Sequence, residues 1–211
     1  MFFYILAHPD RSKEQIGAVF WPDLSLARMA STFPATVYRV RRAVGRDCVL
    51  YENERYRFNR NLNYRYDVED FESLMARAQK LSSQSEPAAE NYRQALALYR
   101  GEYLEDIYSD WAMPYRDTLL HRYVKAANKL AEFHADQREY EQAAQFYRRL
   151  LEKDNLREEV HRRLMECYVL AGERARALQH YDRLVSLLDQ ELGTPPAPET
   201  VALFERIQRA G

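Results

Sequence analysis

The chain has 211 residues, room for one or two domains and a sizeable core. Apolar residues make up 46% and charged residues 30%, and only six glycines and eight prolines are present, which disfavours a turn-rich β fold and leans towards helix. No apolar run is long enough to cross a bilayer, and Met1–Ala7 lacks the basic start and small-residue cleavage site of a secretion signal. The net charge of −1 conceals an asymmetry. Residues 1–66 carry 11 Lys/Arg against 6 Asp/Glu, a net +5, while the remainder carries 20 against 26, a net −6. A basic amino-terminal part followed by an acidic part fits a nucleic-acid-facing module joined to a protein-facing one.

In chain order, residues 2–8 are apolar and helix-compatible, and His8-Pro9-Asp10-Arg11 breaks them. Ser12 is placed to cap a helix over Lys13–Phe20, with Gln15 in capping-box position and Ile16, Val19 and Phe20 as its buried face. Trp21–Ser25 reads as a turn. The next helix ends at Gly45, which suits a left-handed cap, and it places Phe33, Val37, Val40 and Val44 on one stripe and Tyr38, Arg39, Arg41 and Arg42 off it. Pro34 lies inside it, so the helix is predicted to kink or restart there. Cys48–Tyr51 and Arg55–Phe58 read as strands joined by Glu52-Asn53-Glu54. Helix, turn, second helix and hairpin is the order of a winged helix-turn-helix, whose second helix enters the major groove of DNA. Asn59–Tyr66 reads as the connection between two domains.

From Asp67 the pattern changes to helices throughout. Val68, Phe71, Leu74, Met75 and Ala78 mark one, Ala88, Tyr92, Ala95, Leu96 and Tyr99 a second, and a long helix is predicted from about Met113 to Ala135. Tyr103–Trp111 reads as an irregular aromatic link. Beyond it, Leu130 and Leu164, Ala143 and Ala177, Tyr147 and Tyr181, and Leu150 and Leu184 are each 34 residues apart, the tetratricopeptide period. Ala88–Leu96 echoes the same helix at an offset of 55, one period plus 21 residues. The pattern amounts to about three helical hairpins, closed by a helix over Glu199–Ala210.

Leu24–Gly45, the Arg39–Arg42 run and the Glu54–Phe58 strand resemble the carboxy-terminal half of an OmpR-type winged helix. Val68–Ile207 resembles the bacterial transcriptional activator domain, through Ala97–Leu104, Asp154–His161, Ala177–Tyr181, Glu191–Pro195 and Pro198–Thr200. Together they are similar to the antibiotic-regulatory activators of filamentous bacteria. The expected fold is therefore mainly α, with a truncated winged helix-turn-helix over 1–66, lacking the family's amino-terminal sheet, and tetratricopeptide-like repeats over 67–211. The resemblance implies a DNA-binding transcriptional activator that binds promoter repeats in tandem. Thr32, Ala35, Thr36, Tyr38, Arg39, Arg41 and Arg42 would lie near DNA, with Arg39, most nearly opposite the core stripe, as the base reader. Asn53, Arg55 and Arg57 of the wing would touch the minor groove or backbone, unless Arg57 turns back into the fold. Expected partners are double-stranded DNA, RNA polymerase or another protein bound by the repeats, and a second copy of the chain.

A second reading makes the chain a protein-interaction scaffold within a larger signalling ATPase or response regulator. Its discriminator is whether acids of the helical part tie up Arg39, Arg41 and Arg42. The pattern contains no catalytic constellation, phosphate loop, cofactor motif or metal motif. The five histidines are scattered, with His161 and Glu158 the one metal-like pair, and helix-surface or inter-helix roles suit them better. Tyr123, His134 and Tyr168 read as repeat core, with partner contact the alternative. The two isolated cysteines, Cys48 and Cys167, read as buried free thiols in a reducing compartment, the cytoplasm.

Overall fold

The computed structural model describes residues 1–210, which form ten α-helices and one two-stranded hairpin. The chain divides into two compact units. The first comprises Met1–Tyr66 together with Tyr103–Arg116, and the second comprises Asp67–Glu102 and the chain from Asp117 onward.

The first unit contains α1 (Phe2–Ala7), α2 (Lys13–Phe20), α3 (Leu26–Val44), β1 (Val49–Glu52) and β2 (Arg55–Phe58). Ser12 and Gln15 complete the expected capping box at the start of α2. Gly17 lets α3 come close: a Cβ built there would lie 2.1 Å from the Met29 sulfur. Tyr4, Ile5 and Leu6 of α1, Ile16 of α2, Met29, Phe33 and Val37 of α3, and Cys48, Val49 and Phe58 around the hairpin form one buried core. Two residues assigned to buried stripes stand outside it. Val19 and Val44 are exposed, because α2 and α3 bury only the turns that face the core.

The predicted restart at Pro34 does not occur, since α3 is one helix through the proline. Pro34 has no N–H to give the Ala30 carbonyl, but both residues are solvent-exposed or partly so, and water can take that hydrogen bond. Gly45 ends α3 at φ 143°, ψ 145°, an extended glycine-favouring geometry and not the left-handed cap expected from its position. The hairpin is tighter than predicted. Glu52 pairs with Arg55, leaving a two-residue loop of Asn53 and Glu54 with φ of 50° and 60°. Two successive positive φ values match the twist of the strands they join. A third short segment escapes sequence reading: Arg11 and Tyr56 exchange backbone hydrogen bonds of 3.1 and 2.8 Å, pinning the entry to α2 against β2.

Tyr103–Trp111, expected as a link within the helical part, clusters with the first unit. The Trp111 ring meets Tyr4 edge-on at 5.4 Å and lies 6.3 Å from Phe20. Arg116 secures the segment by donating to the carbonyls of Tyr103 (2.9 Å) and Leu104 (2.7 Å).

The second unit contains α4 (Asp67–Gln79), α5 (Glu86–Leu98), most of α6 (Met113–Asp136), α7 (Tyr140–Leu151), α8 (Glu158–Leu170), α9 (Arg174–Leu192) and α10 (Pro198–Arg209). α4 packs on α5, α7 on α8, α8 on α9, and α10 on both α8 and α9. The 34-residue period is visible in the core and in the backbone. Leu130, Leu164, Ala143, Ala177, Leu150 and Leu184 are all buried. The α6–α7 turn closes with Glu139 N–H donating to the His134 carbonyl at 2.8 Å, and the α8–α9 turn with Glu173 N–H donating to the Tyr168 carbonyl at 2.7 Å. Arg138 and Gly172, again 34 apart, hold the positive φ of these turns. Ala88, Ala89, Tyr92 and Ala95 are buried in α5 as Ala143, Ala144, Tyr147 and Leu150 are in α7. The stretch that breaks the period between them contains the segment that joins the first unit.

Candidate nucleic-acid interface

The exposed face of α3 and the hairpin after it carry the residues singled out for DNA. They fall into two groups. Ala35, Tyr38, Arg39 and Arg42 belong to the open side of α3, with Tyr38 at 64% exposure. Arg39 and Arg42 make no side-chain hydrogen bond or ion pair among the described residues, so their guanidinium donors are unspent. No acid among those residues holds either of them. Asn53 stands exposed at the hairpin tip.

The other group is engaged within the unit. Arg41 is half-buried and donates from Nη2 to the Val49 carbonyl at 2.6 Å, tying the end of α3 to β1. Arg55 donates to the Asp10 carbonyl at 3.1 Å and to the Gln15 side chain at 3.3 Å. Arg57 pairs with Glu52 across the hairpin and with Asp10 at 3.9 Å, which makes it the hairpin residue that turns back towards the fold. Thr32 and Thr36 lie on the same helix, and the Thr36 hydroxyl donates to the Thr32 carbonyl at 2.9 Å. Each of these groups can still accept or share a contact, but its geometry is set by an intramolecular partner.

Aromatic packing fixes how α3 and the hairpin stand to each other. Phe33 of α3 meets Tyr56 of β2 at 4.8 Å, and Tyr56 meets Tyr51 of β1 at 4.5 Å. Burial raises the Tyr56 hydroxyl above its usual range, so it stays neutral. Cys48, beside the hairpin, is buried and its thiol is likewise pushed up by burial. The role of Arg41 was not legible in sequence, where it reads as one more basic residue on the outer face.

Residues 66–208 match the family described as bacterial transcriptional activator domain. The chain belongs to this family. It therefore carries a transcriptional activator-type domain, built here from tetratricopeptide-like helices. No curated protein sequence matches the chain. Among solved structures it is similar to Mycobacterium tuberculosis EmbR, determined in complex with a low-affinity phosphopeptide. The identity is 20% and the TM-score 0.76, over 99% of this chain and 58% of that one. At that identity the likeness is one of fold, and the chain spans little more than half the length of EmbR. Looser matches are a Bacteroides ovatus protein binding protein (20% identity, TM-score 0.33, 61% of this chain and 59% of that one) and Podosopora anserina kinesin light chain TPR-like repeats (15%, 0.36, 68% and 76%).

In the activator domain, Tyr123 and Tyr168 are buried in the repeat core, and His134 stacks on Phe146 with ring centroids 5.5 Å apart. His161 and His180 form a pair between α8 and α9: His161 is buried and its Nδ1 lies 2.8 Å from Nε2 of His180. The other nitrogen of His161 is 2.8 Å from the Asn155 carbonyl and must donate to it. Nδ1 of His161 is then the acceptor and Nε2 of His180 the donor. Among the described residues no cluster of three metal-ligating side chains occurs.

Proposed function

We propose that the chain is a DNA-binding transcriptional activator. Its first unit would bind duplex DNA as a winged helix, with α3 in the major groove and the hairpin as the wing. Its repeats would contact RNA polymerase or another protein. The observation that carries the reading is the pair of unpartnered arginines, Arg39 and Arg42, on the open face of a helix that a hairpin flanks. Unpaired guanidinium groups match phosphate oxygens and guanine edges. We assign base reading to Arg39, phosphate contact to Arg42 and Tyr38, and backbone contact beside the groove to Asn53. Arg41, Arg55 and Arg57 would act chiefly by holding α3 and the wing in register. Work in the cytoplasm, and pairing of two copies on direct repeats, belong to the same proposal.

The test is fluorescence anisotropy of the chain on duplex promoter DNA across a salt series. Affinity should fall linearly on a log–log plot, with a slope of about −0.9 per phosphate contacted. Arg42→Ala should reduce that slope by about one and weaken all sequences alike, while Arg39→Ala should also relax sequence preference. Binding that ignores salt and both substitutions would remove DNA from the reading and leave the scaffold function.

A further inference from the structure

The second unit contains a cavity that the DNA-binding role does not use. It has a volume of about 500 Å³ and lies among α7, α8 and α9, lined chiefly by Arg148, Tyr168, Arg176, Gln179, His180 and Arg183. That volume is in the range of ligand pockets and exceeds what one small ion fills. Three of its lining residues are arginines, and no carboxylate lines it.

The arginines are held in different ways. Arg148 donates to Glu141 at 2.9 Å and to the Tyr168 hydroxyl at 3.4 Å. Arg176 lies over the Tyr168 ring at 4.3 Å, donates to Glu173 at 2.8 Å and reaches Glu141 at 3.5 Å. These carboxylates stand outside the lining and fix two guanidinium groups in place. Arg183 is exposed and makes no side-chain hydrogen bond or ion pair among the described residues. The cavity thus offers two positioned cations and one unspent one.

His180 senses the resulting field. Burial first, then the neighbouring His161, Arg183 and Arg176, push it down to about 4, so it is neutral at pH 7. Its Nε2 is engaged by His161, which leaves its ring fixed at the wall. The lining holds three arginines and no carboxylate, within a part of the chain whose net charge is −6. A long polyanion such as nucleic acid meets that surrounding negative charge, whereas a short acidic segment meets chiefly the lining, where Arg183 has no carboxylate partner.

We propose that this cavity binds the carboxylate side chains of an acidic peptide segment in a partner protein. Arg183 supplies the free fork, Arg148 and Arg176 the oriented charge, and the Gln179 amide a hydrogen bond to the peptide backbone. The proposal rests on the protein-contact half of the function above and is independent of DNA binding.

The probe is a fluorescein-labelled decapeptide rich in aspartate and glutamate, with its asparagine/glutamine counterpart as control, titrated into the full chain. The acidic peptide should bind and the neutral one should not. Arg183→Ala should weaken binding about tenfold, as loss of one charge-assisted contact does, with thermal stability unchanged. Arg183→Lys should recover part of the loss. In NMR titrations the His180 ring should titrate at higher pH with peptide bound, since the anion offsets the positive field. Equal affinity for both peptides, or binding indifferent to Arg183→Ala, overturns the proposal, as does tighter binding of a short single-stranded DNA at the same residues. Duplex-DNA binding measured on the same preparations separates the two readings: peptide binding lost with DNA binding kept fails this one alone, and the reverse fails only the other.

Discussion

The open face of α3 and the surface of the helical unit use arginine differently. In the helical unit many arginines are tied down on the surface: Arg93 with Glu86 and Glu90, Arg122 with Glu72, Arg157 with Asp154, Arg163 with Glu166, Arg209 with Glu205. On α3 of the first unit, Arg39 and Arg42 have no such partner. Surface ion pairs contribute little stability each, so this difference is one of availability rather than of strength. A cation left unpaired beside a shaped surface is ready for an external anion. Arg183 is an exception in the helical unit, and it lies at a cavity. The cores differ in the same spirit. The repeat core is made of equivalent positions that recur, while the first unit draws non-equivalent residues from α1, α2, α3 and the hairpin, with Trp111 of the returning Tyr103–Arg116 segment packed against them.

The largest expected effect tests that contrast in the cores. Phe33 is fully buried at the centre of the first unit. Phe33→Ala should cost about 3–5 kcal/mol. Urea unfolding followed by tryptophan fluorescence, with Trp21 and Trp111 both in that unit, should show its transition shift or vanish while the helical signal of the repeats persists. A single merged transition that moves as one would break the comparison.

Trp111→Ala comes next, at about 2 kcal/mol for a half-buried indole among aromatic rings. The loss should appear in the transition of the first unit, although Trp111 follows α5 in sequence. A loss confined to the repeats would return the segment to the helical part.

In the repeats the corresponding fastening is polar. Thr200 is fully buried, its hydroxyl donates to Glu158 at 2.7 Å and accepts from Arg162 at 2.9 Å, and the Ala197 N–H donates to Glu158 at 2.8 Å. Glu158→Ala strands these donors and should cost about 1–3 kcal/mol, read as reduced protection of α10 in hydrogen exchange.

Acid should separate the units by degree. His161 and His180 in the repeats are lowered by burial, as His8 is in the first unit. The unfolded chain binds protons on these rings near pH 6.5 while the folded chain does not. Their contribution is therefore complete above pH 6.5 and is lost as pH falls towards about 4, the folded value for His180. The repeats, with two such rings, should show the steeper decline in unfolding midpoint, and His180→Gln should flatten it.

The smallest effect concerns the two equivalent turns. Gly172 at φ 80° accepts its conformation without strain, whereas Arg138 at φ 62° holds a Cβ in the left-handed region. Gly172→Ala should cost about 1 kcal/mol, and Arg138→Gly should return somewhat less than that. Thermal melts of the two single variants should move in opposite directions.

Several features were legible because they depend on neighbours in the chain. The Ser12–Gln15 capping box is a contact over three residues. The 34-residue period shows because each hairpin repeats the same local packing. Of the kink or restart expected at Pro34, the restart is absent, because a proline's cost depends on whether the stranded carbonyl can reach water, and Ala30 is an exposed residue. For the interface, composition marked α3 as basic but did not tell Arg39 from Arg41. Those two differ only in what lies within reach once the hairpin folds back.

The amino-acid sequence by itself determined the helical class, the repeat period, the break in charge at residue 66 and the basic helix with its hairpin, since all follow from propensity, spacing and composition. Tertiary structure alone decided which arginines are spent and which are free, that Tyr103–Arg116 joins the first unit, and that Arg148, Arg176 and Arg183 converge on one cavity. The physical reason is the same in each case. A side chain's availability is set by the donors and acceptors that folding brings beside it, and those come from residues far away in the chain.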